Sequence, residues 1–261
     1  MYGRNGTTTD ANDKLIPVVT FHMGKHTVTQ GQWKAVMGED KNASVFDGTN
    51  KYNSSSADYI PATPTFNRDN LPVERVSWYD ALVFANKLSV KDGLQPAYRI
   101  KNSNDPAQWG EVPRTANDKD WDKVEVVDGA NGWRLPSEHQ WEFAAKGGTK
   151  SAGYKGESTD TYFVYSGSNE DTLGDFAVYK DNSDDRTHEV GKRKPNELGL
   201  YDMSGNVREW CYDTYYPDNS TERVYRGGCW DNLSLHVRSA FRSYYNPGLR
   251  FNFLGFRLVR P

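Results

Sequence analysis

The sequence predicts one domain of short helices and strands joined by much irregular backbone. Three observations carry that expectation. Eight Trp, sixteen Tyr and twenty-three Gly among 261 residues favour aromatic packing around tight turns over long helices, which draw on Ala, Leu and Glu. Capping signals at Thr29 with Gln32, Ser77 with Asp80 and Ser137 with Gln140 each open a short stretch of helical periodicity. Between them, residues 39–70 and 149–190 are rich in Asn, Asp, Ser and Gly and read as loops.

Taken in order, residues 1–13 read as a flexible polar leader and 14–261 as a single domain without tandem repeat or linker. Residues 16–23 read as a strand that Pro17 confines to an edge. Thr29 caps a helix through Trp33, Val36 and Met37 to Gly38, and Ser77 caps another with Ala81, Leu82, Phe84, Ala85 and Leu88 at helical spacing. Residues 97–100 and 123–127 alternate like the strands of a hairpin, with Asp128 and Gly129 as a turn. Ser137 opens a third helix that Gly147 and Gly148 end. From 194 to 210, the closely spaced Asn196, Gly199, Gly205 and Asn206 give a tightly packed irregular loop with Trp210 driven inward.

A net charge of -3 argues against general nucleic-acid binding, and no apolar run approaches membrane-spanning length. The N-terminal stretch lacks the apolar core of a signal peptide and reads as a linker from which an export signal has been trimmed. Cys211 and Cys229 permit one disulfide.

The chain is organised around residues 226–261. The ends of this tail, Arg226, Gly227, Gly228 and Trp230 on one side and Gly255, Phe256, Arg257, Leu258 and Val259 on the other, read as framework. Glycine admits positive φ and close approach, and the Phe-x-Leu-Val alternation suits a strand that closes a core. Between them Asp231, Asn232, Leu233, Leu235, His236, Phe241, Ser243, Tyr244, Tyr245, Leu249, Phe251, Asn252 and Phe253 follow neither a helical nor a strand period. They read as ligand-contact residues, because rigid aromatic area interleaved with Ser, Asn, His and Asp is the mixture antibody paratopes use. Core packing of Phe241, Phe251 and Phe253 is the competing account. Arg238, Arg242 and Arg250 read as framework whose forks satisfy loop carbonyls.

A compositional gap supports the contact reading. From 227 to 261 there is no Lys, Glu, Gln or Met. None of these can arise by randomising the first two bases of an asparagine codon that ends in a pyrimidine, whereas Asp, Leu, His, Phe, Ser and Tyr all can.

The segments VTQGQW, PVERVSWYDALVFANKLS, WRLPSEHQWEFAAKGG, NELGLYDMSGNVREW and RGGCW with GFRLV run in that order from Val28 to Val259. This set resembles the formylglycine-generating enzyme (sulfatase-modifying factor) family, a branch of the C-type lectin fold. The resemblance implies an α+β fold with two main helices, a small twisted antiparallel sheet and much irregular loop. The tail further resembles the variable region of proteins diversified by diversity-generating retroelements, the treponemal variable proteins among them. That likeness implies a non-catalytic, receptor-like protein displayed at the cell surface by export or an N-terminal lipid anchor. It would bind a protein or other macromolecule through the tail, as a monomer.

The family's oxidase chemistry uses two cysteines, five residues apart, just after the Gly-Gly-x-Trp motif. Those positions match Asn232 and Val237 here, and without a thiolate there is no sulfur nucleophile or copper ligand. The resemblance therefore implies neither enzyme activity nor a cofactor in this chain. Iron-binding sulfoxide-synthase relatives need a histidine set, and His22, His26, His139, His188 and His236 show no paired ligand spacing. Asn206 and Glu209 resemble positions that help hold calcium in some members, but a buried carboxylate partnered by an Arg explains Glu209 equally, and no metal is assigned. Glu74 with Arg75, and Asp202 with Arg208, read as ion pairs or loop hydrogen bonds. The rival readings are a formylglycine-generating-type oxidoreductase with displaced chemistry and a structural scaffold without a dedicated ligand.

Overall fold

Three helices begin where the sequence places their caps. In the computed structural model, which describes residues 6–9, 15–18, 20–47, 67–115, 118–148, 164–216 and 221–261, they are α1 (Gln30–Met37), α2 (Trp78–Lys91) and α3 (Glu138–Ala145). The hydroxyls of Thr29, Ser77 and Ser137 each accept the amide three residues on. The side chains of Gln32, Asp80 and Gln140 accept the cap amides in return. Two orphan donors at each helix start are thereby satisfied. A single-turn helix, α4, spans Leu173–Phe176.

The core forms on α2. Its residues Trp78, Tyr79, Leu82 and Phe84 are buried, and Trp33 of α1 stacks on Phe84 with 5.4 Å between ring centres. Phe256, from the end of the tail, meets both rings edge-on. The indole of Trp78 donates to the Cys211 carbonyl and that of Trp210 to the Val76 carbonyl, so the buried ring nitrogens also join helix to sheet.

Among the described residues the strands form four small sheets. β1 (Gly6–Thr9) pairs with β2 (Leu15–Val18), β3 (His22–Met23) with the last strand β10 (Val259–Arg260), and β4 (Tyr98–Arg99) with β5 (Glu125–Val126), all antiparallel. The main sheet has the order β8 (Arg242–Tyr245), β7 (Arg223–Arg226), β6 (Arg208–Thr214), β9 (Leu254–Gly255), with only the β6–β9 pairing parallel. α3 packs against β6 and β7.

Some expectations change in detail. The strand read over 16–23 is divided, because the chain changes partner: β2 pairs with β1, whereas β3 crosses to β10 of the tail. β1 falls inside the stretch read as a leader, so four of those residues form a strand. β4 and β5 pair as the alternation indicates, but the Asp128-Gly129 turn follows β5, with Ala130 N–H donating to the Val127 carbonyl, instead of joining the two strands. Within the polar stretch 39–70, Val45 and Phe46 are buried anchors. Residues 48–66 of that stretch, 149–163 of the second and the 13/14 boundary lie outside the described residues. Cys211 and Cys229 are free thiols, each buried in a different core cluster. Among the described residues no helix is long and apolar enough to cross a membrane.

Candidate functional site

The frame of the tail is held by arginines. Arg226 ends β7 fully buried, and its guanidinium donates to the carbonyls of Ser239 (3.0 Å), Ala240 (3.0 Å) and Phe241 (2.9 Å) while pairing with the Glu142 carboxylate on α3. A planar fork pinned by a carboxylate thus satisfies a bend that has no backbone ladder. Arg257 plays the same part at the other end. Its Nε and Nη2 reach the two oxygens of Glu209 at 2.7 Å each, and it also donates to the carbonyls of Tyr201 and Gly24. Between the two, Gly228 adopts φ 68°, and a Cβ there would lie 2.5 Å from the His236 carbonyl. Only glycine fits that crossing. Trp230 is buried, edge-on to Phe46 at 5.7 Å, and donates to the Asn252 carbonyl.

The three arginines assigned to loop carbonyls divide. Arg238 donates to the Leu235 carbonyl, and Arg250 to the Gly248 carbonyl as well as to Asp80. Arg242 instead forms a fork-to-fork pair with Glu138, 2.7 Å to each oxygen, because β8 places it on the face that α3 covers.

None of the thirteen contact candidates is buried: Asp231, Leu233, Leu235 and Leu249 are exposed and the others half-buried. The alternation of β8 separates them. Tyr245 shares its face with Tyr225 of β7, stacking on it at 4.7 Å, and meets Phe251 at 4.8 Å; Phe251 stacks on Phe253 at 4.9 Å. Arg208 lies among these rings, 4.6 Å from the Phe253 centre and 4.8 Å from that of Tyr225. Its Nη1 donates to the Tyr245 hydroxyl at 2.6 Å and its Nη2 to the Asn232 side-chain carbonyl at 3.3 Å. Desolvated cation–π contacts of this kind fix the guanidinium plane.

Tyr244 lies on the opposite face, 4.5 Å from Tyr215 and 5.6 Å from Tyr216, with the Arg242 guanidinium 4.2 Å over the Tyr215 ring. His236 meets Phe241 edge-on at 5.0 Å, and Asp231 pairs with Lys180 at 2.7 Å. Two aromatic clusters therefore flank edge strand β8, one on each face. Phe241, Tyr245, Phe251 and Phe253 also rest on the main core, so the core-packing account holds for their inner faces.

Arg208, Tyr215 and Tyr216 join these clusters from outside the tail, and sequence reasoning missed them. The adjacent Tyr215 and Tyr216, which echo Tyr244 and Tyr245, were the available signal.

At the two positions matched to the oxidase cysteines, Asn232 caps the turn by accepting the Cys229 amide at 3.1 Å, and Val237 is fully buried beside Tyr165 and Leu173. Burial pushes the Cys229 thiol up to about 11 and the Cys211 thiol well above its usual value, so neither is a thiolate at neutral pH. Glu209 is engaged by Arg257 and by the Trp141 indole at 2.6 Å, while Asn206 exchanges both amide hydrogen bonds with the His188 backbone. Asp202 does not pair with Arg208: it is buried, accepts the Gly191 amide, and its carboxyl is pushed up to about 6 by that burial. Glu74, also buried, accepts the Phe46 amide at 3.0 Å. Among the described residues no group of three or more His, Cys, Asp or Glu is placed to hold a metal ion.

The profile of the sulfatase-modifying factor enzyme 1-like domain matches residues 3–261. The chain belongs to this family. Among solved structures it is similar to variable protein 1 of Treponema denticola, at 34% identity and TM-score 0.77, covering 100% of this chain and 92% of that one. It is 37% identical over 238 residues to Chaperone protein LppX of Paenibacillus barcinonensis, covering 84% of this chain and 72% of that protein. It is also 34% identical over 147 residues to Inactive C-alpha-formylglycine-generating enzyme 2 of Mus musculus, covering 52% of this chain and 46% of that protein. The α+β architecture with much loop is that of the sulfatase-modifying factor family, whose members carry names of enzymes and of inactive relatives alike.

Proposed function

We propose that the protein is a non-catalytic, receptor-like binding protein whose contact surface is the tail-built aromatic region flanking β8, diversified at the codon level. The observation that carries this reading is the division of labour within 226–261. Arg226, Gly228, Trp230 and Arg257 are buried and fix the backbone path, while every contact candidate reaches solvent. Random change at close-packed positions costs about 2–5 kcal/mol, against about 0.5 kcal/mol at most exposed ones, so only such a division tolerates variation. The likeness to a variable protein and to an inactive relative supports the reading, as do Asn232 and Val237 at the thiol positions.

Half-buried Tyr and Phe with exposed Leu suit a protein or other macromolecular partner, since aromatic anchors dominate such interfaces. A net charge of -3 disfavours nucleic acid. A variable receptor would meet variable partners outside the cell, so the proposal includes display at the cell surface, by export or a lipid anchor, as a monomer and without a cofactor.

The test is a library with all thirteen contact positions randomised to residues encoded by pyrimidine-ending codons. Most members should fold and melt within a few degrees of the parent, whereas replacing Trp230 should not be tolerated. General unfolding across the library would overturn the surface assignment. Oxidation of a sulfatase-type cysteine peptide by the protein, with copper and oxygen supplied, would overturn its non-catalytic half.

A further inference from the structure

A cavity of about 350 Å³ lies between α1, α2 and the segment leading from β3 into α1, a size typical of small-molecule sites. Its lining includes none of the thirteen contact candidates, and of the tail only Leu258 takes part. Val28, Phe84 and Leu258 give it a buried apolar floor. Trp133, half-buried, presents its indole on one wall, fixed by an Nε1 hydrogen bond of 2.8 Å to Asp92.

The polar groups converge on one charge. Lys25 and Lys91 stand exposed in the lining, the Lys25 ammonium lying 5.1 Å over the ring of Tyr201 beside the cavity; Arg260, outside the lining, places its guanidinium 5.4 Å over the Trp133 ring. The carboxylate in the lining, Asp92, is already engaged by Trp133. Lys91 donates one proton to the Ala35 carbonyl at 2.9 Å, and an ammonium has two more to offer.

We propose that this cavity binds a small aromatic carboxylate, its ring lying against Trp133 and the apolar floor and its carboxylate facing Lys25 and Lys91. A site of this kind is independent of the tail and has a fixed specificity, because no diversified residue lines it.

The experiment is calorimetric titration of the full chain with 2-naphthoate and with its neutral isostere 2-naphthalenemethanol. The acid should bind at one site per chain, with a dissociation constant on the order of 0.1 mM for so small a ligand. It should bind about ten-fold more tightly than the alcohol, the worth of one good charge contact. Lys25→Gln with Lys91→Gln should erase that preference and leave binding of the alcohol unchanged. Ala35→Trp, at an exposed lining position, should block both ligands while the melting temperature stays at that of the parent. Equal affinity for acid and alcohol overturns the anionic class; absence of saturable binding, or binding that Ala35→Trp leaves intact, overturns the site. The lysine pair lies on exposed side chains, so its result stands even if the tryptophan variant does not fold.

Discussion

Replacing Arg226 with methionine keeps the apolar stem of the side chain and removes its fork. Three carbonyls, of Ser239, Ala240 and Phe241, then lose their donor, and Glu142 loses its Arg226 contact while keeping its pair with Lys146. An unsatisfied buried acceptor costs about 1–3 kcal/mol; the lower figure applies here, because Ala240 is exposed and the Glu142 side chain is 25% exposed, so both can rehydrate. The expected loss is about 3–4 kcal/mol. For 261 residues the unfolding entropy is about 0.55 kcal/mol/K, so the melting temperature should fall by about 5–7 °C. Arg226→Lys keeps the charge beside Glu142 but cannot span three acceptors, and should lose roughly half as much. Thermal melts followed by circular dichroism measure both. Hydrogen exchange should also quicken over residues 238–245 in the methionine variant. A methionine variant that melts within about 1 °C of the parent, or a lysine variant indistinguishable from it, would show that something other than the fork fixes the tail.

In a double-mutant cycle, Tyr245→Ala and Phe251→Ala should couple by about 0.5–1.5 kcal/mol, whereas Tyr244→Ala and Tyr245→Ala, on opposite faces of β8, should add within about 0.5 kcal/mol; urea unfolding distinguishes the two cases. Neither Cys211 nor Cys229 should react with an aromatic disulfide reagent at mildly alkaline pH until the protein unfolds, and fast labelling of the native state would contradict their burial. Asp202, raised from 3.8 to about 6, adds stability that is full below its unfolded value and lost as pH rises through 6. Asp202→Asn keeps an acceptor for the Gly191 amide and suits φ 58°, so the stability difference between about pH 4.5 and pH 7.5 should shrink by about 2 kcal/mol relative to the parent; an unchanged difference would exonerate this carboxyl.

What was legible in the sequence is what local physics decides. The three capping boxes need only residues three apart, and each forms as read. On α2 the helical spacing finds Ala81, Leu82, Phe84 and Ala85, all buried, but not Val83 and Asn86, which the surrounding elements bury as well, while Leu88 is half-buried. The frame arginines had no such signal: Arg226 reaches Glu142 across 84 residues and Arg257 reaches Glu209 across 48, distances at which no periodicity links the partners. For the same reason Arg242 was assigned to a carbonyl when its partner is Glu138, 104 residues away. The division of the strand over 16–23 depended on where β10 would lie, which the local alternation does not encode.

The tail itself was legible through what it lacks, a period and four residue types, but not through its geometry. The four residues of β8 read Arg-Ser-Tyr-Tyr, a pattern with no apolar alternation to say which side faces inward. Register against β7 decides it, placing Tyr245 with Arg208 and the phenylalanines and Tyr244 with Tyr215 and Tyr216. β8 is the edge of its sheet, so among the described residues its outer side carries no further strand. Substitutions at these two adjacent positions would therefore act on two separate clusters, Tyr244 on that of Tyr215 and Tyr245 on that of Phe251. Within a cluster the reverse holds: Tyr245, Phe251 and Phe253 share Arg208 or one another as neighbours, so the effect of each substitution depends on the residues present at the other two. On the proposed function, variation on this surface would be combinatorial across faces and interdependent within them. That follows from the strand register, not from the choice of any one residue.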